Sequence, residues 1–151
     1  MKYLLILLAV VLLAAIGLLA LSFISARVPD GLGVTNGGLA DCPDRDNCVA
    51  SEASVPGKRV PPIPATGTEG EVMDRLAEAV QRLGGEVAER RGGYLRAVFT
   101  SRLWRFRDDL ECLYRPGKGV IEVRSAARVG YSDLGVNRRR VEDLRTFFTS
   151  P

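Results

Sequence analysis

Between Tyr3 and Ile24 the chain reads YLLILLAVVLLAAIGLLALSFI with no charged residue. An α-helix rises 1.5 Å per residue and needs about 20 residues to cross the hydrocarbon core of a bilayer, so this run can span one. A cleaved secretory signal is the competing reading. Its apolar region usually runs about 7 to 15 residues, however, and Ile24-Ser25-Ala26 is a poor small-x-small cleavage site. No cysteine directly follows the run to accept a lipid. The sequence therefore predicts an anchor over residues 1–26, with residues 4–24 in the membrane. Lys2 and the amino terminus precede the span, whereas Arg27 is soon followed by Asp30. That bias puts the N-terminus in the cytoplasm and the remainder on the non-cytoplasmic side of an inner (plasma) membrane.

The chain beyond the anchor has room for one core. Residues 27–67 are rich in turn formers, with Pro56, Pro61, Pro62 and Pro64 in a second irregular stretch, and are expected to form a Gly/Pro-rich stalk partly wrapped on the domain. The globular core is expected over 68–151. Thr68 and Glu71 make a capping box, and Val72, Leu76, Val80 and Leu83 recur at helical spacing until Gly84-Gly85. Gly92-Gly93 suits a hairpin turn between two strands. Two further alternating segments start near Phe106 and Val120, and a last helix from about Asn137 buries Val141, Leu144 and Phe148. The expected fold class is α+β: an N-terminal transmembrane helix, then two layers, with two helices covering three or four antiparallel strands.

Chemistry is constrained by what is missing. The chain has no histidine, the commonest general base and catalytic zinc ligand. Lys2 is the only charge ahead of Arg27, so the rest carries 20 basic against 18 acidic residues, too even a balance for general nucleic-acid binding. Neither a metal nor a cofactor is expected. Cys42 and Cys48 lie in the turn-rich DCPDRDNC, and in an oxidising compartment a disulfide is the natural reading; free redox thiols or a metal pair are the alternatives. Cys112 falls on the apolar side of its strand and reads as a buried thiol. Strand alternation puts Asp108 on that same apolar face and Asp109 and Glu111 on the other, which favours ion pairs (Asp109 and Glu111 with Arg96 or Arg124) over a converging acid–base site.

The segment Arg124–Arg140, RSAARVGYSDLGVNRRR, is unusual because Arg138, Arg139 and Arg140 occupy the first turn of the last helix, where cations are disfavoured. Arg124, Arg128, Ser132, Asp133, Asn137, Arg138 and Arg140 are accordingly candidate ligands for an anion at the helix N-terminus. The competing reading is internal neutralisation by acids such as the Asp108, Asp109 pair.

CPDRDNC with Val49-Ala50-Ser51, SRLWRFRDDLE (101–111) and RSAARVGYSDLGVNRRRVE (124–142) together closely resemble the domain-of-unknown-function 1499 family. The likeness covers about residues 37–148. Members occur in bacterial envelopes, with relatives on the lumenal side of chloroplast thylakoids. The family often has Pro where this chain has Asp46 and Ser where it has Ala50; the Asp108-Asp109 pair and Gly130–Gly135 match throughout. The resemblance implies a compartment and a domain boundary, and no reaction. The expected function is thus a non-catalytic, membrane-anchored envelope module that binds an anionic ligand, a lipid headgroup or an envelope protein. A carboxylate-dependent hydrolase or transferase and a membrane assembly factor are the alternatives.

Overall fold

A computed structural model describes residues 1–149 of the chain. The apolar run forms helix α1 (Lys2–Ser25), whose 24 residues reach about 36 Å, enough for the bilayer core. Its leucines, valines and isoleucines stand largely exposed, and the one buried residue of the helix is the last, Ser25. A helix apolar on every side has no solvent-facing stripe, so it needs a nonaqueous surrounding. Among the described residues this is one helix long and apolar enough to cross a membrane, compatible with single-pass anchoring.

The domain is α+β. Six strands form one antiparallel sheet: β1 (Cys48–Ala50), β2 (Ile63–Pro64), β3 (Glu86–Arg91), β4 (Tyr94–Thr100), β5 (Arg107–Arg115) and β6 (Val120–Ala127). Their order is β1-β6-β5-β4-β3, with β2 also pairing to β6. Helices α2 (Glu69–Arg82) and α3 (Val136–Thr149) pack together on one face. Val72, Leu76 and Val80 of α2, with Val141, Leu144 and Phe148 of α3, meet Leu95, Ala97, Leu110, Cys112, Ile121 and Val123 from the sheet. These are the periodic positions read from the sequence. The β3–β4 hairpin turns through Gly92-Gly93, with Gly92 at φ 51°, a conformation glycine adopts without a Cβ clash.

Six strands correct the expected three or four. Both additional strands come from the stretch assigned to a stalk, and they fill the outer edge of β6 end to end: Cys48–Ala50 pairs with Ala126–Arg124, Ile63–Pro64 with Ile121–Val120. Three and two residues are too short to show alternation, and Pro64 disguises the second; proline is tolerated there because the strand lies on an edge. Val60, Ile63 and Ala65 enter the core, so it begins well before Thr68.

Candidate functional site

The sheet face opposite the helices is polar in sequence and buried in space. Asp109 is 1 % exposed and Glu111 fully buried, since residues 29–47 pass over this face as a strap. Arg128 grips Asp109 with a fork, Nε donating to Oδ2 at 2.6 Å and Nη2 to Oδ1 at 2.8 Å, and Arg96 donates to the same carboxylate at 3.3 Å. Glu111 accepts from Arg124 Nη1 at 2.8 Å, the Tyr94 hydroxyl at 2.9 Å and the Gly33 backbone N–H at 2.7 Å. Burial first, and the Glu111 charge second, push the Tyr94 phenol far above its ordinary pKa, keeping it a donor.

Three guanidinium groups thus face two buried carboxylates, with Glu89 lying 3.7 Å from Arg96 at the margin. Arg128 has another partner. Its Nη1 donates to the carbonyls of Ser25, Ala26 and Arg27 at 3.1, 3.4 and 3.2 Å. These lie at the C-terminal end of α1, where unpaired carbonyls leave about half a negative charge. One side chain of the domain therefore joins the polar sheet face to the C-terminal end of α1.

Between strap and sheet lies an open cleft of about 390 Å³. Asp30, Asp41, Cys42, Arg45 and Asn47 line it from the strap, Asp109, Arg124 and Arg128 from the sheet. The Cys42–Cys48 disulfide, with Cα atoms 5.6 Å apart, ties the strap to β1. Arg45 is exposed, and its guanidinium has no partner among the described residues. Asn47 Oδ1 and Arg124 Nε, by contrast, are buried without one. Each unpaired buried atom costs free energy, so the cleft wall is not optimised for stability alone.

The sequence candidates divide among three places. Arg124 and Arg128 belong to the polar sheet face. On the helix face, Arg140 donates to Asp108 Oδ2 at 2.7 Å and lies 4.5 Å from the centre of the Phe99 ring, while the Ser125 hydroxyl and Arg140 both donate to Asn137 Oδ1. Burial raises the Asp108 pKa against the opposing pull of Arg140. At the start of α3, Asp133 accepts the Gly135 and Asn137 N–H groups, both at 2.8 Å, so a carboxylate of the chain itself occupies the position proposed for a bound anion. Ser132 accepts from the Leu134 N–H, and Arg138 donates to the carbonyls of Gly57 and Arg59. Ser132, Asp133 and Arg138 share a smaller cleft of about 280 Å³ with Asp46 and Lys58. The seven candidates do not converge on one cradle, and Arg124, Arg128 and Arg140 already hold carboxylates.

Sequence reasoning did not pick out Tyr94, Gly33 or Arg45. For Arg45 the signal was its place inside CPDRDNC; for Gly33 there was none. Among the described residues no three Cys, Asp or Glu side chains stand together as a metal site.

All three motif segments contribute to the walls of the larger cleft. A family model described as "Protein of unknown function (DUF1499)" matches residues 38–148, which covers every strand and nearly all of α3. No curated protein and no solved structure matches the chain. With most of its length matched, the chain belongs to the DUF1499 family.

Proposed function

We propose that the chain is a membrane-anchored, non-catalytic module, held by α1 on the non-cytoplasmic side of a plasma membrane, that takes an anionic ligand or an acidic segment of a partner protein in the cleft under its strap. The observation that carries this reading is the unpartnered, exposed Arg45 at a cleft walled by Asn47, Arg124 and Arg128. Arg124 and Arg128 are committed to Glu111 and Asp109, so they shape and polarise the wall; Arg45 is the lining cation left to meet a ligand, and of the strap acids on the same wall Asp41 is turned to the Cys42 and Ser54 N–H groups. Support for a non-catalytic role comes from Asp108, Asp109 and Glu111, each held by an arginine. A general acid or base needs a carboxyl with a proton to exchange near substrate.

The test is titration of the purified chain with small carboxylates and phosphates, followed by amide NMR shifts. Shifts should cluster on residues 40–47 and β6 and vanish in Arg45→Gln, whose exposed position leaves the fold intact. Shifts elsewhere, or indifference to Arg45→Gln, would remove the cleft from consideration.

One observation favours the enzymatic alternative: burial raises the Asp108 pKa, as general acids require. Asp108→Asn separates the two. If Asp108 only braces Arg140, the variant loses stability and keeps ligand binding; an enzyme would keep its fold and lose turnover.

A further inference from the structure

The SRLWRF segment, which takes no part in the cleft, forms the β4–β5 loop at the end of the sheet where α1 arrives. Asp108 pairs with Ala127, and the Arg128 N–H donates to the Arg107 carbonyl, so the β6–α3 loop leaves the sheet at this same end. Large apolar side chains stand exposed on both loops: Leu103 at 76 %, Trp104 at 38 %, Tyr131 at 69 % and Leu134 at 85 %. Leu134 does so at φ 53°, a left-handed backbone that disfavours a bulky side chain. In water, nothing compensates these exposures.

Cations accompany them. Arg102, Arg105 and Arg107 have no ion-pair partner among the described residues. Arg105 and Arg107 line a groove of about 270 Å³ together with Ala26 and Val28, which lie just beyond the end of α1, and Glu86 is the one acid on its described walls. The helix exit and the loop are therefore neighbours in space, and Arg128 fixes that exit by binding its last carbonyls. No free linker separates span and rim.

We propose that this rim is a second, interfacial contact with the membrane, an inference that rests on α1 being a membrane anchor. Leu103 and Trp104 enter the boundary between headgroups and acyl chains, and Arg102, Arg105 and Arg107 bind the phosphates of anionic lipids. Tryptophan favours that depth because its ring is apolar and its N–H is polar. Arginines beside an anionic surface gain from its potential, while their stems lie along apolar atoms. The bilayer is the occupant because the anchor already holds it against this end of the sheet, and because the uncompensated charge of the rim is positive. Its consequence is a fixed orientation of the domain, with the sheet standing on the membrane.

Trp104 is the only tryptophan, so its fluorescence reads the rim alone. The full chain is reconstituted in vesicles of phosphatidylcholine with increasing phosphatidylglycerol, carrying nitroxide labels at shallow or deep acyl positions. The rim contact requires blue-shifted emission, stronger quenching by the shallow label, and poor access to aqueous iodide. Arg105→Gln and Arg107→Gln should each lower the docked-to-free ratio about fivefold in anionic vesicles, the factor matching roughly 1 kcal/mol per arginine. Water-like, iodide-accessible emission overturns the proposal, as does blue-shifted emission that no lipid label quenches, which would mark a protein contact instead. A second protein, Trp104→Phe with Leu12→Trp, reports on the span. Deep quenching there with none at Trp104 leaves the anchor and removes the rim contact; no quenching at either site removes the anchor as well.

Discussion

Arg128 binds Asp109 through Nε and Nη2 and the end of α1 through Nη1, so its replacement should be felt at both places. Arg128→Met leaves the buried Asp109 with only the longer Arg96 contact, and breaking one side of a buried pair costs about 3–5 kcal/mol. Urea unfolding in mild detergent should show that loss, and a change below about 0.5 kcal/mol for Arg82→Gln, which removes only an exposed pair with Glu78. Cysteine chemistry is equally specific. Burial raises the Cys112 thiol pKa and makes it unreactive in the native fold, while Cys42 and Cys48 are joined. Alkylation of denatured, unreduced protein followed by mass spectrometry should label Cys112 alone, and all three cysteines after reduction. At this scale much was legible. Alternation separated Asp108 from Asp109 and Glu111, and the cross-strand partners Arg96 and Arg124 lay within reach of that pattern. The contact of Arg128 with Ser25 spans 103 positions and has no local signature.

Helix α2 shows why some elements are readable and others are not. Thr68 and Glu71 cap it reciprocally: the Glu71 N–H donates to the Thr68 hydroxyl, and the Thr68 N–H donates to the Glu71 carboxylate at 2.9 Å. Thr68→Ala should cost about 1 kcal/mol in thermal or chemical unfolding. The hydrogen bonds from Thr68 hold the Glu71 pKa below its ordinary 4.5. A depressed carboxyl adds stability that is present above the unfolded value and lost as pH falls through the folded one. The gap in melting temperature between the native chain and Glu71→Gln should therefore be present at neutral pH, shrink below pH 4.5 and close once Glu71 is protonated. A gap unchanged down to strong acid would contradict the cap. Fourteen residues with a cap and a period announce themselves; β1 and β2 take shape only because the open edge of β6 offers unpaired backbone groups to Cys48–Ala50 and Ile63–Pro64.

For the whole molecule, the apolar run, the disulfide and the buried ion network point to one arrangement: an apolar helix that ends on the domain, and a domain braced on its polar face by residues that sequence reading assigned to a stalk. That bracing was illegible because a strap of turn formers has no period, and its contacts are set by where the sheet happens to be. The proposed function puts the domain outside the cytoplasm and keeps it attached, and neither half follows from the fold alone. A reporter that becomes active only after export, fused behind Pro151 and assayed in alkali-washed membranes, examines both at once. Activity retained in the washed membrane fraction is the expected result. Activity released to the soluble fraction would mean that the N-terminal segment is cleaved, and an inactive reporter, with a cytoplasm-only reporter active at the same position, would contradict the orientation and with it the oxidising compartment of the Cys42–Cys48 bridge.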